Sequence, residues 1–310
     1  MPVPERTVLP QQENHSQLPA GNRSFSTIHG EISRRRSRLC RAGQLLHAAR
    51  CLQPVARERL RFQGPRRGVA RALQLDDNLP EAHTALALVV QNYDWNWQLA
   101  EKEFRRAIEL GPNYATAHHW YAEHLTWRGR FDEALREIEQ ARKLDPLSLI
   151  IAAGRGAILY YSRQYDRAIQ QLQSVLALEP NFPRAHLIAS VYAEKRMLRE
   201  ALADIEKQRP KIEPAWYWST LAYVYGRCGW TAEARQALYE LNKIGGNTRL
   251  DPAVFLFAYA GTGDKEQLLA TLDAAYAQHS SAIATLKVAP VYDSIRNEPR
   301  FQDLLRRLGL

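Results

Sequence analysis

Four prolines recur at a fixed interval in the middle of the chain. Pro112, Pro146, Pro180 and Pro214 lie 34 residues apart. One interval before Pro112 lies Asn78, which follows Leu-Asp-Asp much as Pro146 follows Leu-Asp. A fixed period of this length is the sequence signature of a repeat protein, in which each unit packs mainly against its neighbours. We therefore expect a stack of similar units from Asn78 onward.

Small and apolar residues recur at three positions within each unit, 22, 26 and 29 residues past each junction. Because these positions are separated by four and then three residues, they form one stripe on a helix, and a small side chain there lets two helices approach closely. The stripe predicts the second helix of each unit, and a first helix is predicted after each junction. The stripe holds Ala100, Phe104 and Ala107, then Ala134, Ile138 and Ala141, then Ala168, Leu172 and Val175, and the first helices are expected at residues 81–92, 115–127, 149–161, 183–195 and 215–227.

An aromatic residue precedes the first stripe position in successive units. Gly129 and Phe131 precede Ala134, and Tyr165 precedes Ala168. Together with the 34-residue period, this pattern resembles the tetratricopeptide repeat (TPR), a helix–turn–helix unit. The resemblance implies an all-α fold, a right-handed TPR superhelix built as an α-solenoid of antiparallel helix pairs.

The repeat pattern shifts in phase toward the end of the chain. Ala201 lies one residue early in the fourth unit, which predicts a first helix or turn that is one residue shorter. A sixth unit is expected at residues 255–276, after a flexible Gly-Gly-Asn connection. Residues 299–308 predict an amphipathic last helix that covers the exposed end of the array. We expect a repeat region at residues 71–310, with about six units at 78–276.

Three stretches carry a closer resemblance. Residues 93–97 (Tyr-Asp-Trp-Asn-Trp), 117–124 and 300–308 are similar to the TPR region at the carboxyl end of bacterial multidomain signalling and transcriptional regulator proteins. In those proteins the repeats follow winged-helix, adenylate-cyclase or protein-kinase modules, and no such effector module occurs in this sequence. The resemblance implies a role in bacterial signalling or regulation.

The net charge of +9 belongs to the first 70 residues. Residues 1–70 hold 13 Arg, no Lys, no Asp and 4 Glu, whereas residues 71–310 hold 29 basic and 29 acidic residues. Three interpretations of residues 1–70 are open: a disordered or irregular tail, a non-native segment produced by a frame change or a misassigned start, or an arm that binds nucleic-acid phosphates. The segment has only Phe25 and Phe62 as aromatic residues, which argues against base stacking. A nucleic-acid partner is therefore expected only through residues 1–70.

Histidines are the obvious candidates for chemistry. His118, His119 and His124 lie close together with Glu123 in one predicted helix. His119 and Glu123 share a face and offer two ligands, which do not complete a metal site, and an H-E-x-x-H motif is absent. The sequence also has no phosphate-binding glycine loop and no nucleophile elbow. We expect a protein that is not an enzyme, with no catalytic residue, cofactor or metal.

The cysteines and the apolar stretches favour a cytoplasmic protein without a membrane partner. Cys40, Cys51 and Cys228 match no zinc or redox spacing and are interpreted as free thiols in a reducing compartment. The opening residues lack the apolar core of a signal peptide, and no apolar stretch reaches the roughly 20 residues of a membrane span.

The TPR resemblance also implies a partner site. In proteins of this family the first helices line a concave groove that holds a peptide, and the Lys and Asn with which chaperone-binding members clamp a terminal carboxylate are missing here. We expect a scaffold or adaptor for a protein segment of unidentified origin, with a nucleic-acid-associated regulator as the alternative. The groove positions carried over are Thr116, His119, Glu123 and Trp127 in the second unit, Tyr160 and Tyr161 in the third, and Trp216 and Tyr223 in the fifth.

Overall fold

The structure, a computed structural model, describes residues 58–247 and 250–310. The three interpretations of residues 1–70 concern a segment of which the structure describes only residues 58–70, and they stay predictions. The described residues form fourteen α-helices and no β-strand. The helices are α1 (Glu58–Leu75), α2 (Pro80–Val89), α3 (Trp97–Leu110), α4 (Ala115–Trp127), α5 (Phe131–Leu144), α6 (Leu149–Tyr161), α7 (Tyr165–Leu178), α8 (Ile188–Glu194), α9 (Leu198–Gln208), α10 (Pro214–Arg227), α11 (Thr231–Asn247), α12 (Pro252–Thr262), α13 (Lys265–Ala277) and α14 (Pro299–Arg307).

Consecutive helices pack in pairs, and each pair is one repeat unit. Units 1 to 3 are α2–α3, α4–α5 and α6–α7, and units 4 to 6 are α8–α9, α10–α11 and α12–α13. Helices α4 and α6 have the bounds predicted from the sequence. Helix α1 packs against α2 and begins at Glu58, well before the Val69–Leu75 stretch in which the sequence made a helix recognisable.

The predicted stripe of the second helices forms the core between units. Phe104, Ile138 and Leu172 are all at most 1% exposed, and the alanines in front of them are fully buried. Each of these large side chains contributes about 1.5–3 kcal/mol by leaving water. The stripe therefore holds each unit to the next, as its spacing predicted.

The fourth unit begins differently from the units before it. A five-residue 3₁₀ helix, Pro183–Leu187, precedes the seven-residue α8, whereas α4 and α6 are 13-residue α-helices. The 3₁₀ helix and α8 together span 12 residues, one fewer than α4 or α6. This confirms the shorter first helix that was predicted from Ala201. Because a 3₁₀ helix turns more per residue than an α-helix, the side chains of this first turn point in altered directions.

Units 5 and 6 approach each other through their first helices, α10 and α12. A Cβ atom added at Gly261 would overlap the backbone carbonyl of Ala222, and one added at Gly226 would overlap the carbonyl of Gly261. The two backbones are thus in direct contact. Only glycine permits this distance, because any side chain would occupy the space of the facing backbone.

The end of the chain packs against both ends of the array. Helix α14, the predicted last helix, lies on α13, where Arg300 Nε donates to Asp273 Oδ2 at 2.8 Å. The sequence did not predict the contacts that the rest of this region makes with the first units. We name residues 281–310 the closing segment. Trp97 Nε1 of unit 1 donates to the Leu308 carbonyl at 2.6 Å, and Arg128 Nη1 of unit 2 donates to the Gly309 carbonyl at 2.9 Å.

Unit 1 also contacts the end of unit 6 through Trp95. A π-helical turn, Val90–Asp94, ends α2, and Trp95 follows with a left-handed φ of 50°. The Trp95 ring stacks on Tyr276 and His279, with ring centroids 5.2 and 4.5 Å away. A left-handed conformation is unfavourable for a bulky residue, so the surrounding contacts must hold it. The first and last units therefore meet, and the array is closed.

Candidate functional site: the inner face of the array

We name the side of the array that is lined by the first helices the inner face. The first helices carry all eight predicted groove residues, which the structure divides into two sets. Thr116, Glu123, Tyr161 and Trp216 are half-buried. His119, Trp127, Tyr160 and Tyr223 are buried, each at most 3% exposed. A peptide can reach the first set directly, whereas the second set contacts other parts of this chain. The assignment of all eight to partner binding stays a prediction.

Trp127 lies against the closing segment. It forms a small apolar cluster with Trp97 and Ala284. Arg128 lies over the Trp97 ring at 5.8 Å from its centroid, next to the bond that Arg128 makes with the Gly309 carbonyl. The end of the inner face at Trp127 is therefore covered by residues of the same chain.

Tyr160 and Tyr223 belong to a buried polar network. Tyr223 donates a hydrogen bond to Glu194, which also pairs with Arg227, and Tyr223 shares a hydrogen bond with Tyr160. Burial, followed by the negative charge of Glu194, raises the pKa of Tyr160 well above its ordinary value; burial is also the main reason for the raised pKa of Tyr223. Both phenols stay neutral and serve the interior of units 3 to 5.

Glu123 joins unit 2 to unit 4 across unit 3. Arg184 Nη2 donates to Glu123 Oε1 at 3.1 Å, and the Arg184 guanidinium lies 5.8 Å from the centre of the Trp120 ring. Gly154 of α6 packs closely against α4, because a Cβ added at Gly154 would lie only 3.0 Å from His119 Nε2. The ion pair between Arg184 and Glu123 thus connects units 2 and 4 directly.

Two of the three clustered histidines, His118 and His124, have separate hydrogen-bond partners. His118 Nδ1 lies 2.7 Å from Glu137 Oε2, while His124 Nδ1 lies 2.7 Å from Gln91 Oε1. Burial lowers the pKa of His118, but its hydrogen bonds with Glu137 and Pro112 raise it more, so the pKa lies above the ordinary value. Burial lowers the pKa of His124 to about 4. Within residues 58–247 and 250–310, no three His, Cys, Asp or Glu side chains are arranged to hold a metal ion.

A histidine at the fourth position of a first helix recurs in three units. His83, His118 and His186 each direct Nδ1 at a carboxylate of the second helix of the same unit. In units 1 and 2 the other nitrogen, Nε2, lies 2.8 and 3.0 Å from a backbone carbonyl six residues earlier. All three histidines therefore join the two helices of their unit, and His83 and His118 also bind the preceding junction.

The His186 ring differs from the other two. Its Nδ1 lies 3.1 Å from Asp204 Oδ1, and both side chains are about nine-tenths buried. Gln208 Nε2 donates to Asp204 Oδ2 at 2.6 Å. No hydrogen-bond partner of His186 Nε2 occurs in the part of the chain that the structure describes. A cavity of about 170 Å³ opens beside this histidine, and its lining consists of His186, Ser190, Ile205, Gln208, Ile212, Trp216, Thr220 and Phe257.

The sequence predicted Trp216 as a groove residue, and Trp216 lines this cavity. The sequence analysis missed His186, Asp204 and Phe257. A signal for the histidine was present, because the dipeptide Ala-His recurs at residues 82–83, 117–118 and 185–186, always near the start of a first helix. The cavity itself had no sequence signal, because units 4, 5 and 6 all contribute to its lining.

Comparison with known proteins identifies the repeat. A family model described as tetratricopeptide repeat matches residues 96–148 and 128–181. The structure of pilF from Pseudomonas aeruginosa is 19% identical, with a TM-score of 0.50 over 70% of this chain and 99% of that chain. A tetratricopeptide repeat protein from Parabacteroides merdae is 15% identical, with a TM-score of 0.53 over 79% and 91% of the two chains.

These likenesses show the fold. The chain contains TPR units, and the repeat region folds as an all-α TPR solenoid, which confirms the predicted fold class. The closer resemblance to signalling and transcriptional regulators stays a prediction. None of the helices in the described part of the chain is long and apolar enough to cross a bilayer.

Proposed function

We propose that this protein is a non-enzymatic scaffold that binds a polypeptide segment on the open part of its inner face. The partner lies along the half-buried residues Thr116, Glu123, Tyr161 and Trp216. The four buried residues of the predicted groove pack beneath this surface and hold its helices together; they are His119, Trp127, Tyr160 and Tyr223. The proposal places the protein in the cytoplasm, in bacterial signalling or regulation, as the resemblance of the repeats implies.

The cavity beside Trp216 carries the proposal. Binding sites for peptides need a concave surface with an aromatic anchor and a few polar groups that fix orientation. The cavity supplies both, because Trp216 and Phe257 provide apolar area, while His186, Ser190 and Gln208 provide polar atoms. TPR solenoids are suited to hold an extended chain because their first helices form one continuous face.

The experiment is a selection of peptides from a displayed random library on the full chain, followed by affinity measurements with the selected peptides. The Trp216→Ala variant is expected to bind them at least tenfold more weakly, because central aromatic residues carry much of the binding energy of an interface. Trp230→Ala is the matched control, since Trp230 is 51% exposed and does not line the cavity. Equal affinity for wild type and Trp216→Ala would contradict this location.

A nucleic-acid partner remains the second candidate, and it is favoured by the charge of +9 on residues 1–70. Binding through phosphates would weaken steeply with salt. Titration of duplex DNA into the full chain at several salt concentrations tests it, and the absence of affinity at low salt would remove it.

A further inference from the structure

In the fourth unit the repeated histidine, His186, contacts a carboxylate through Nδ1. Among the described residues its Nε2 makes no hydrogen bond with a backbone carbonyl. In units 1 and 2, His83 and His118 use both ring nitrogens within the fold. The corresponding carbonyl in unit 4 would be that of Pro180, six residues before His186. The first turn of this unit is a 3₁₀ helix, and no hydrogen bond joins His186 Nε2 to that carbonyl in the described part of the chain.

The protonation pattern of His186 follows from its neighbours. Asp204 is held in place by Gln208 and faces Nδ1 with both carboxylate oxygens, at 3.1 and 3.2 Å. A carboxylate accepts hydrogen bonds, so the proton of the neutral imidazole is on Nδ1 and the lone pair is on Nε2. The cavity therefore contains a fixed hydrogen-bond acceptor beside the apolar side chains of Ile205, Ile212, Trp216 and Phe257.

The size of the cavity limits what it can hold. A cavity of about 150 Å³ lined by apolar residues is known to bind one benzene ring. The cavity beside His186 measures about 170 Å³, which is enough for one six-membered ring with a small substituent. Trp216 and Phe257 offer aromatic faces, and Ile205 and Ile212 offer aliphatic contact.

We infer that this cavity is a specificity pocket for a tyrosine side chain of the bound polypeptide. The phenol ring packs among Trp216, Phe257 and Ile205, and its hydroxyl group donates to His186 Nε2. An apolar body with one polar donor at its end matches a cavity in which Trp216, Phe257 and Ile205 give apolar area and His186 Nε2 gives an acceptor. This inference rests on the proposed function and names the residue type that the scaffold recognises.

The test uses two small probes with the full chain, so that it does not require the natural partner. p-Cresol mimics the tyrosine side chain and toluene mimics phenylalanine. The indole N–H signals of uniformly ¹⁵N-labelled protein are recorded during each titration, and the Trp216 signal is assigned from the Trp216→Phe variant. Both probes are expected to shift the Trp216 signal.

The decisive variant is His186→Asn. Asparagine keeps a side-chain amide donor near Asp204, where Nδ1 lies in the wild type, and it removes the Nε2 acceptor. Affinity for p-cresol is expected to fall about fivefold to tenfold, the effect of one lost hydrogen bond, while affinity for toluene changes less than about twofold. His118→Asn is the matched control, because it makes the same change in unit 2, outside the cavity, and should leave both affinities as they are.

A second variant tests the cavity without changing His186, so that a folding defect of His186→Asn does not decide the result. Thr220→Leu fills part of the cavity from α10 and leaves His186 and Asp204 untouched, so binding of both probes should weaken together. The helical circular dichroism of each variant is compared with that of the wild type.

Three outcomes would overturn the inference. Equal loss of p-cresol and toluene in His186→Asn would show that Nε2 does not recognise the hydroxyl group. Binding of toluene without p-cresol would assign an apolar anchor, and a Trp216 signal that neither probe shifts would show that the cavity takes no ring. The proposed function fails separately: selected peptides that depend on Trp216 and lack tyrosine would support the scaffold and reject the tyrosine pocket.

Discussion

Removing one hydrogen bond of unit 1 should loosen a helix at the other end of the chain. Trp97→Phe keeps a ring in the same place and removes the Nε1 donor to the Leu308 carbonyl, a residue 211 positions away. In an open solenoid each unit contacts its neighbours only, so a change in unit 1 would not reach α14. In the closed array, a change in unit 1 reaches α14 through this hydrogen bond.

The magnitude follows from burial at this contact. Trp97 is 6% exposed, and its bond of 2.6 Å is buried. Leaving a buried carbonyl without its donor costs about 1–3 kcal/mol. A central value of about 2 kcal/mol lowers the free energy of opening of the closing segment and corresponds to roughly 30-fold faster amide exchange.

The assay is native-state hydrogen exchange resolved by peptide, with the amides of Pro299–Arg307 as the reporter. Phe104→Leu serves as the control, because Phe104 is fully buried in the core of units 1 and 2 and belongs to a cluster without closing-segment residues. Phe104→Leu should speed exchange in α3 and leave α14 within about threefold of the wild type. Unchanged exchange of α14 in Trp97→Phe would refute the closure of the array.

Two further perturbations test the packing and the electrostatics. Gly261→Ala should destabilise units 5 and 6 by about 1–3 kcal/mol or more in urea denaturation, because its Cβ would overlap the Ala222 carbonyl, whereas Gly246→Ala, where the space is open, should not destabilise the protein. A loss seen equally in both variants would contradict the backbone contact. The pKa of about 4 for His124 lies below its ordinary value, so the stability linked to this group is present above about pH 6.5 and is lost as the pH falls toward 4. Between pH 7 and pH 5 the loss should be about 2 kcal/mol, and it should be absent in His124→Gln; an identical pH dependence in that variant would rule out His124 as the cause.

The repeat units could be predicted because their information is local. The stripe of Ala100, Phe104 and Ala107 has helical spacing, and the same stripe recurs one period later, so helix bounds and neighbour contacts follow from the sequence alone. Even the shortened first helix of unit 4 had a signal in the early position of Ala201. These features depend on residues fewer than 40 positions apart.

The character of the inner face depended on the tertiary structure. The sequence assigned Trp127, Tyr160 and Tyr223 to a groove, and the fold buries all three. Part of this burial comes from the closing segment, whose position is set by the rotation between successive units summed over the whole array. No local pattern encodes that sum, because each unit specifies only the contact with its neighbour.

The cavity at His186 shows the same division on a smaller scale. The sequence repeats Ala-His at the start of three first helices, which determines where the histidine lies along the chain. The first turn of unit 4 is a 3₁₀ turn, which rotates about 20° more per residue than an α-helical turn, and there Nε2 lies at a cavity and not at a backbone carbonyl. The repeat was therefore determined by the 34-residue periodicity of the sequence. The closure of the array and the exposure of His186 Nε2 to a cavity were decided by how the units pack in space.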